Sequence, residues 1–165
     1  MRPLILTSMT HISSLITELT SPTIKRRRDA ATTLGQSGDP AGVMSLVKAL
    51  GDDHPSVRRE VTLALGRLND DRAVPGLIAA LTDRDPEVRA GTVAALGRLK
   101  DRRAVIPLIG CLADTDDRIR AGAAEVLGRL GDKRAIDALT GAASDPFENV
   151  REAVSRALQM LHKRK

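Results

Sequence analysis

From residue 70 to residue 99 the chain alternates two short amphipathic patterns. In the first, Val74, Leu77, Ile78 and Leu81 stand three, four or seven residues apart, and in the second Val88, Val93, Ala95, Leu96 and Leu99 do the same. That period puts the apolar side chains on one side of a helix in each case. Thr82-Asp83-Arg84 separates the two patterns. Asp70 is placed to cap the first helix, and Asp85 to cap the second with Pro86 in the first helical position, where a missing N–H costs nothing. Asp116 aligns with Asp85, and Asp145-Pro146 and Ser21-Pro22 read as the same cap-and-proline signal. Pro75 and Pro107 fall inside first helices and predict a bend in each.

The pair of helices recurs. A shift of 31 residues superimposes Arg27, Arg58, Arg89, Arg120 and Arg151, then Gly35, Gly66, Gly97 and Gly128. It also aligns Asp39, Asp70, Asp101 and Asp132, and Leu46, Leu77, Leu108 and Leu139. Residues 64–68 and 95–99 both read ALGRL, and residues 126–130 read VLGRL. A fixed period of this length predicts stacked helical hairpins rather than one closed globule. The position after each such segment is Gly38, Asn69, Lys100 or Gly131. Gly and Asn tolerate the left-handed conformation that ends a helix, so the second helix should stop there, with Lys100 the exception.

The ends of the array look different from its middle. Ile12, Leu15, Ile16 and Leu19 alternate with His11, Ser13, Ser14 and Thr17, and Val150, Val154, Ala157, Leu158 and Leu161 oppose Arg151, Glu152, Arg156 and Gln159. Such one-sided helices suit terminal repeats, whose outer face meets water. The expected architecture is an all-α, right-handed solenoid of about five hairpins: 9–38, 39–69, 70–100, 101–131 and 132–162. Residues 1–8 read as an extension and 163–165 as a basic tail.

Composition narrows the function. There is no Trp, no Tyr and one Phe, so the core must be aliphatic, and Cys111 is the single cysteine. One cysteine makes no internal disulfide and no metal-ligand spacing, which fits a reducing cytoplasm. The apolar run near the start is three residues long, short of the ~7 of a signal peptide, and nothing approaches the ~18 of a membrane span. The net charge of +5 is not spread evenly: residues 40–145 carry 16 Lys/Arg and 16 Asp/Glu, and the excess sits in Lys25-Arg26-Arg27-Arg28 and Lys163-Arg164-Lys165. A duplex binder needs a continuous basic track and a single-strand binder needs aromatic platforms. Neither is present in the central units, so nucleic acid is disfavoured as a partner, contact through the basic ends excepted.

Units such as residues 83–112, DRDPEVRAGTVAALGRLKDRRAVIPLIGCL, resemble HEAT-like repeats of the phycobilisome-lyase type, whose pattern runs D-x-x-V-R-x-x-A-x-x-A-L-G-x-L-G-D-x-R-A-V-x-x-L. The resemblance covers roughly residues 10–162 and departs at the ends, where Arg26 replaces the usual valine and Gln159 the repeat glycine. It implies an armadillo/HEAT-type superhelix in which Arg58, Arg89 and Arg120 pair with aspartates such as Asp52, Asp83 and Asp114 to lock neighbouring repeats. It also implies that the second helices line the concave face and meet partners there, through Arg28, Arg59, Leu63, Arg67, Ala94, Arg98, Glu125, Arg129 and Arg156. Gly66, Gly97 and Gly128 are expected to serve close packing of neighbouring helices.

Arg67, Arg98 and Arg129 carry the functional question. Stacked at the ~10 Å spacing of packed helices, they could hold an acidic segment. Each, however, is followed three residues later by Asp70, Asp101 or Asp132, and Glu125 stands one turn before Arg129. The local reading is the favoured one, with a binding role open beside it.

No catalytic, metal or cofactor set is expected. Cys111 aligns with Ala49, Ala80 and Ala142, which suggests an inert buried thiol. His11, His54 and His162 fall at unrelated repeat positions and are followed by Ile12, Pro55 and Lys163, so the His-Glu pairs of the HEAT-type di-iron hydroxylases are absent. The expectation is a non-enzymatic, monomeric, cytoplasmic scaffold for a protein partner. An accessory role in attaching or removing bilins is the alternative that the resemblance leaves open.

Overall fold

The computed structural model describes residues 3–163, with side chains from residue 11 onward. These residues form ten α-helices in five pairs and no strand. The pairs are α1 (Pro3–Glu18) with α2 (Ile24–Ser37), α3 (Val43–Ala49) with α4 (Pro55–Leu68), and α5 (Val74–Ala80) with α6 (Pro86–Leu99). They continue with α7 (Val105–Gly110) and α8 (Asp117–Leu130), then α9 (Ile136–Gly141) and α10 (Glu148–Lys163). The expected right-handed solenoid is what forms. Helix α1 includes residues 3–8, which the pattern had set apart, and Arg164 and Lys165 of the basic tail lie outside the described residues. Among the described residues no helix is long and apolar enough to cross a membrane.

One aliphatic core runs the length of the stack, from Ile12 to Leu161. Leu46, Leu77, Leu108 and Leu139 from the first helices are fully buried, as are Leu34, Leu65 and Leu96 from the second. Burying each such side chain contributes roughly 1.5–3 kcal/mol. This recurring contribution holds each hairpin to its neighbours without any aromatic residue.

The second helices are 14 residues long in the three central units, whereas the first helices are short and enter through a 3-10 turn. Asp70, Asp101 and Asp132 cap those turns by accepting the N–H of Arg72, Arg103 and Arg134 at 2.8–3.0 Å. The turn corrects the expected bends. Pro75 lies in the first turn of α5, and the carbonyl of Asp71, which would otherwise seek its N–H, accepts from Val74 instead. Pro107 is the third residue of the equally short α7.

A second correction concerns register. Asp85 and Asp116 do cap α6 and α8, with His54 doing the same for α4 through its ring nitrogen. Asp145 and Ser21 instead align with Asp83, two residues before the cap, so the prolines that follow them are not first-turn prolines. Asp145 accepts the N–H of Phe147 and also serves the preceding helix pair, as described below.

All four helix stops are left-handed: Gly38, Asn69, Lys100 and Gly131 have φ of 69°, 51°, 55° and 71°. Lys100 thus adopts the conformation that its side chain disfavours, at a cost of roughly 1–2 kcal/mol. Replacing Lys100 with glycine is expected to stabilise the protein by about 0.5–1 kcal/mol, part of the gain being offset by the freer unfolded chain. A thermal melt showing equal or lower stability would contradict that strain.

Candidate partner-binding face

Each repeat arginine near the start of a second helix joins three segments. Arg58 donates from Nε and Nη2 to the Asp83 carboxylate at 2.7 and 2.8 Å, and from Nη1 to the Asp52 carbonyl at 2.8 Å. Arg27 repeats this with Asp52, Arg89 with Asp114 and Arg120 with Asp145. The carboxylate therefore comes from the following repeat, 25 residues on, and the carbonyl from the turn six residues back. The two-pronged fit of guanidinium to carboxylate makes these pairs strong and directional. They form a ladder of four rungs along one edge of the stack, while the fifth repeat arginine, Arg151, donates to the Asp145 and Pro146 carbonyls of its own turn.

The ladder has a pH signature. Burial alone would raise Asp83, but the hydrogen bond from Arg58 and the N–H of Asp85 hold it below the usual carboxylate range. Asp52 and Asp114 are lowered on the same balance, and Asp145 chiefly by its bond from Arg120. The folded form thus binds protons less readily than the unfolded chain, whose aspartates titrate near ~3.9. Their contribution is complete above that value and is lost as pH falls through the folded values. The melting temperature should be flat above about pH 5 and drop below about pH 4; a melt unchanged down to pH 2 would contradict the ladder's role.

The glycines settle the opposite end of the second helices. A Cβ on Gly35 would lie 2.6 Å from Ala64 Cα, one on Gly66 3.1 Å from Ala95 Cα, and one on Gly128 2.7 Å from Ala157 Cα. The α2–α4, α4–α6 and α8–α10 seams therefore close backbone to backbone, whereas at Gly97 the α6–α8 seam holds the Val126 side chain, 2.7 Å from where a Cβ would stand. The same glycines seat the arginine of the next repeat: Arg98 Cδ would be 3.4 Å from a Cβ on Gly66, and Arg129 Nη2 3.0 Å from one on Gly97. At the last repeat Met160 takes the arginine's place over Gly128.

The expected local pairing of the arginine row does not form at Arg67 and Arg98. Asp70 is held by Arg72 at 2.6 Å and Asp101 by Arg103 at 2.7 Å, while Asp132 receives Arg134 at 2.8 Å and Arg102 at 3.0 Å. A residue two positions after the aspartate follows it round the same turn, and so reaches the carboxylate ahead of one three positions before it across the helix end. Arg72 and Arg103 also donate to the Pro40 and Asp71 carbonyls of the preceding repeat. The D-x-R spacing that marks these pairs is visible in the sequence and recurs at 31 residues; its competition for the aspartate is what the reading missed.

Among the described residues, exposed Arg28, Arg67 and Arg98 have no carboxylate within 4.0 Å, whereas Arg59 has Glu60 at 3.6 Å. Leu63 beside them is half-buried and Ala94 exposed. Further along the layer the charges close on themselves, with Arg156 placed 3.4 Å from both Glu125 and Glu152. The face is therefore uneven: Arg28, Arg67 and Arg98, which lack a carboxylate, lie on α2, α4 and α6, and Arg156 with its two glutamates joins α8 to α10.

Two grooves lie between first helices on the far side, of ≈ 550 Å³ beside Ile16, Arg27 and Asp52 and ≈ 540 Å³ beside Ile78, Arg89 and Cys111. Arg27 and Asp52 in the first, and Asp83, Arg89 and Asp114 in the second, belong to the ladder; Lys48 and Asp53 also line the first. Burial pushes the Cys111 thiol up to about 11, so it stays protonated near neutrality. His54 is occupied as a helix cap and His162 contacts the Leu158 carbonyl. No group of three or more His, Cys, Asp or Glu able to hold a metal occurs among the described residues.

Comparison with known proteins agrees with this architecture. A chain in the complex of CpcE and CpcF of phycocyanin lyase from Nostoc sp. PCC7120 is 29% identical with a TM-score of 0.80, over 92% of this chain and 65% of that one. The present chain thus spans just under two thirds of that relative. A designed armadillo repeat protein in complex with the peptide (KR)4 is 17% identical with a TM-score of 0.71, covering 95% and 84%. Human deoxyhypusine hydroxylase is 18% identical with a TM-score of 0.53, covering 96% and 99%. At those identities the last two share the fold alone. No match was found among curated proteins. Residues 12–85 and 74–159 match the family model for HEAT repeats, which together span most of the sequence, and the chain belongs to the HEAT-repeat family.

Proposed function

We propose that this chain is a non-enzymatic interaction module whose second-helix face, concave by the family's geometry, receives an acidic or extended segment of a protein partner. One observation carries the reading: Asp70 and Asp101 are engaged by Arg72 and Arg103, so Arg67 and Arg98 stand exposed without a carboxylate. Two such arginines ~10 Å apart repel by only ~0.4 kcal/mol in water, so the row persists without a ligand yet gains from one. Arg28 extends the positive field, Arg59 lies beside it with Glu60 at 3.6 Å, and Leu63 offers an apolar anchor. A surface held rigid by the ladder loses little entropy on binding. A cytoplasmic setting suits its one protonated thiol.

The test is a polyglutamate peptide titrated against the wild type and against Arg67→Glu/Arg98→Glu. Hydrogen bonds to charged groups contribute about 1.5–3 kcal/mol each, so the double variant should bind at least about tenfold more weakly at unchanged helicity. Equal affinity in the two proteins would contradict the proposal.

The likeness to a phycocyanin lyase chain favours a second reading, an accessory role in bilin attachment or removal. With no Trp or Tyr, the protein itself is nearly blank in the near ultraviolet. Binding would appear as a shift in visible absorption on mixing with a bilin, and an unshifted spectrum would end that reading.

A further inference from the structure

We infer that the segment this face accepts is a polyproline-II stretch with an acidic residue at every third position, a conclusion that rests on the proposed acidic-partner reading. The spacing comes from the glycines. Because a Cβ on Gly66 would lie 3.1 Å from Ala95 Cα, α4 and α6 meet backbone to backbone, an approach within the usual range of roughly 8–10 Å between packed helices. Successive arginines of the row inherit that interval.

The same glycine marks the place of Arg98. The stem of Arg98 lies back across Gly66, in the seam between α4 and α6 and one residue from Arg67. The floor between them and beyond is shallow: Ala94 is exposed, and Ala90 and Ala121 are half-buried. A ligand crossing this floor must present carboxylates on one side only, at the helix-to-helix interval.

Three regular conformations can be compared with that demand. In a β-strand, residues two apart share a face at about 6.8 Å, and residues three apart, at about 10 Å, point to opposite faces. An α-helix brings residues back to the same face at about 6 Å, and next at about 10.5 Å seven residues on. Polyproline II has three residues per turn and a rise of 3.1 Å, so every third side chain faces the same way at about 9.3 Å. That interval falls within the range, and the conformation is already ordered before binding. Its backbone has no internal hydrogen bonds, which leaves every carbonyl solvated over a floor that offers few donors.

Charge complementarity selects acidic side chains. Arg67 and Arg98 have no carboxylate of their own, and Arg28 adds positive charge on α2 in the same layer, while Arg59 is offset by Glu60. The two ends of the row differ as well: beyond the arginine seats, Met160 replaces the cation over Gly128, and Glu125 is tied to Arg156. The acidic repeat is therefore read on the α4–α6 side, and an apolar residue suits the Met160 end.

The experiment compares two labelled peptides, each carrying four glutamates in a polyproline frame, at every third or every fourth position. Every fourth position is turned by a third of a revolution and lies about 12.4 Å away. Fluorescence anisotropy is read with the wild type and with Arg67→Gln/Arg98→Gln, whose glutamines keep the stem that lies on the glycine. Binding of the triplet peptide at least tenfold tighter than the quadruplet peptide, lost in the double variant, supports the inference. Equal binding of the two peptides, still lost in the double variant, overturns the triplet spacing while the acidic-partner reading stands. Binding that is absent, or indifferent to the double variant, overturns both.

Discussion

Replacing Arg58 with alanine should destabilise the protein by about 3 kcal/mol, a fall in melting temperature of roughly 6–12 °C for a chain of this size. Its side chain is 5% exposed and that of its partner Asp83 11%, which makes it the most enclosed rung of the ladder. Removing the guanidinium leaves the Asp83 carboxylate with the Asp85 N–H as its remaining hydrogen bond and takes from the Asp52 carbonyl the donor it has at 2.8 Å, while the Asp53 carbonyl keeps Arg84. Breaking one side of a buried pair costs more than the pair contributes, because the other charge stays behind without compensation. Arg58→Lys should recover little, since a single ammonium cannot span both carboxylate oxygens and a carbonyl on the opposite side. Circular dichroism melts of the two variants check this. A loss under about 1 kcal/mol would mean the ladder is ornamental, as exposed ion pairs often are.

The second large effect is expected at Gly128→Val. A Cβ there would lie 2.7 Å from Ala157 Cα and 2.9 Å from Ala157 Cβ, and a backbone atom cannot turn aside as a long side chain can. Helix α10 must then move off α8, uncovering Val150, Val154 and Leu161, each at most 1% exposed in the native stack. Overpacking of this kind costs typically 1–3 kcal/mol. In a repeat array stability is a sum over neighbouring interfaces, so the damage should be local: hydrogen-exchange protection lost through α10 and kept through α4 and α6. The control is Gly141→Ala, which meets nothing within 4 Å and should be neutral or stabilising by up to about 1 kcal/mol. Uniform loss of protection along the chain would contradict an additive stack.

These two substitutions show why the fold was readable from sequence and the face only partly so. The 31-residue period, the helix stops and the recurring glycine each reflect a need that every unit shares, so repetition averages away accident. Even Lys100, which looked anomalous, obeys the position rather than its own preference. Departures at the ends follow from what is missing there. Gln159 stands exposed where Gly128 has a neighbour to touch, and exposed Arg26 aligns with buried Val57 and Val88.

Partnership between charges was harder to read, because distance along the chain ranks contenders poorly. Arg67 and Arg72 are three and two residues from Asp70, yet one stands on a helix end and the other in the turn that Asp70 caps. Likewise Asp83 is as near in sequence to the Arg89 it serves with a carbonyl as Asp52 is to Arg58, while its carboxylate belongs to Arg58, 25 residues back. Only the stacking of one hairpin on the next decides these assignments. The proline positions failed for a related reason, since the 3-10 turn that absorbs Pro75 leaves no mark in the hydrophobic pattern.

On the proposed reading, Arg67 and Arg98 are charges that the fold does not use. The most direct test is the thermal stability of Arg67→Gln/Arg98→Gln, in which the stems remain and the charges go. The melting temperature should stay within about 2 °C of the wild type, as expected for exposed residues outside any ion pair. A fall on the scale of Arg58→Ala would show that these arginines hold the stack together, and would contradict their assignment to a partner.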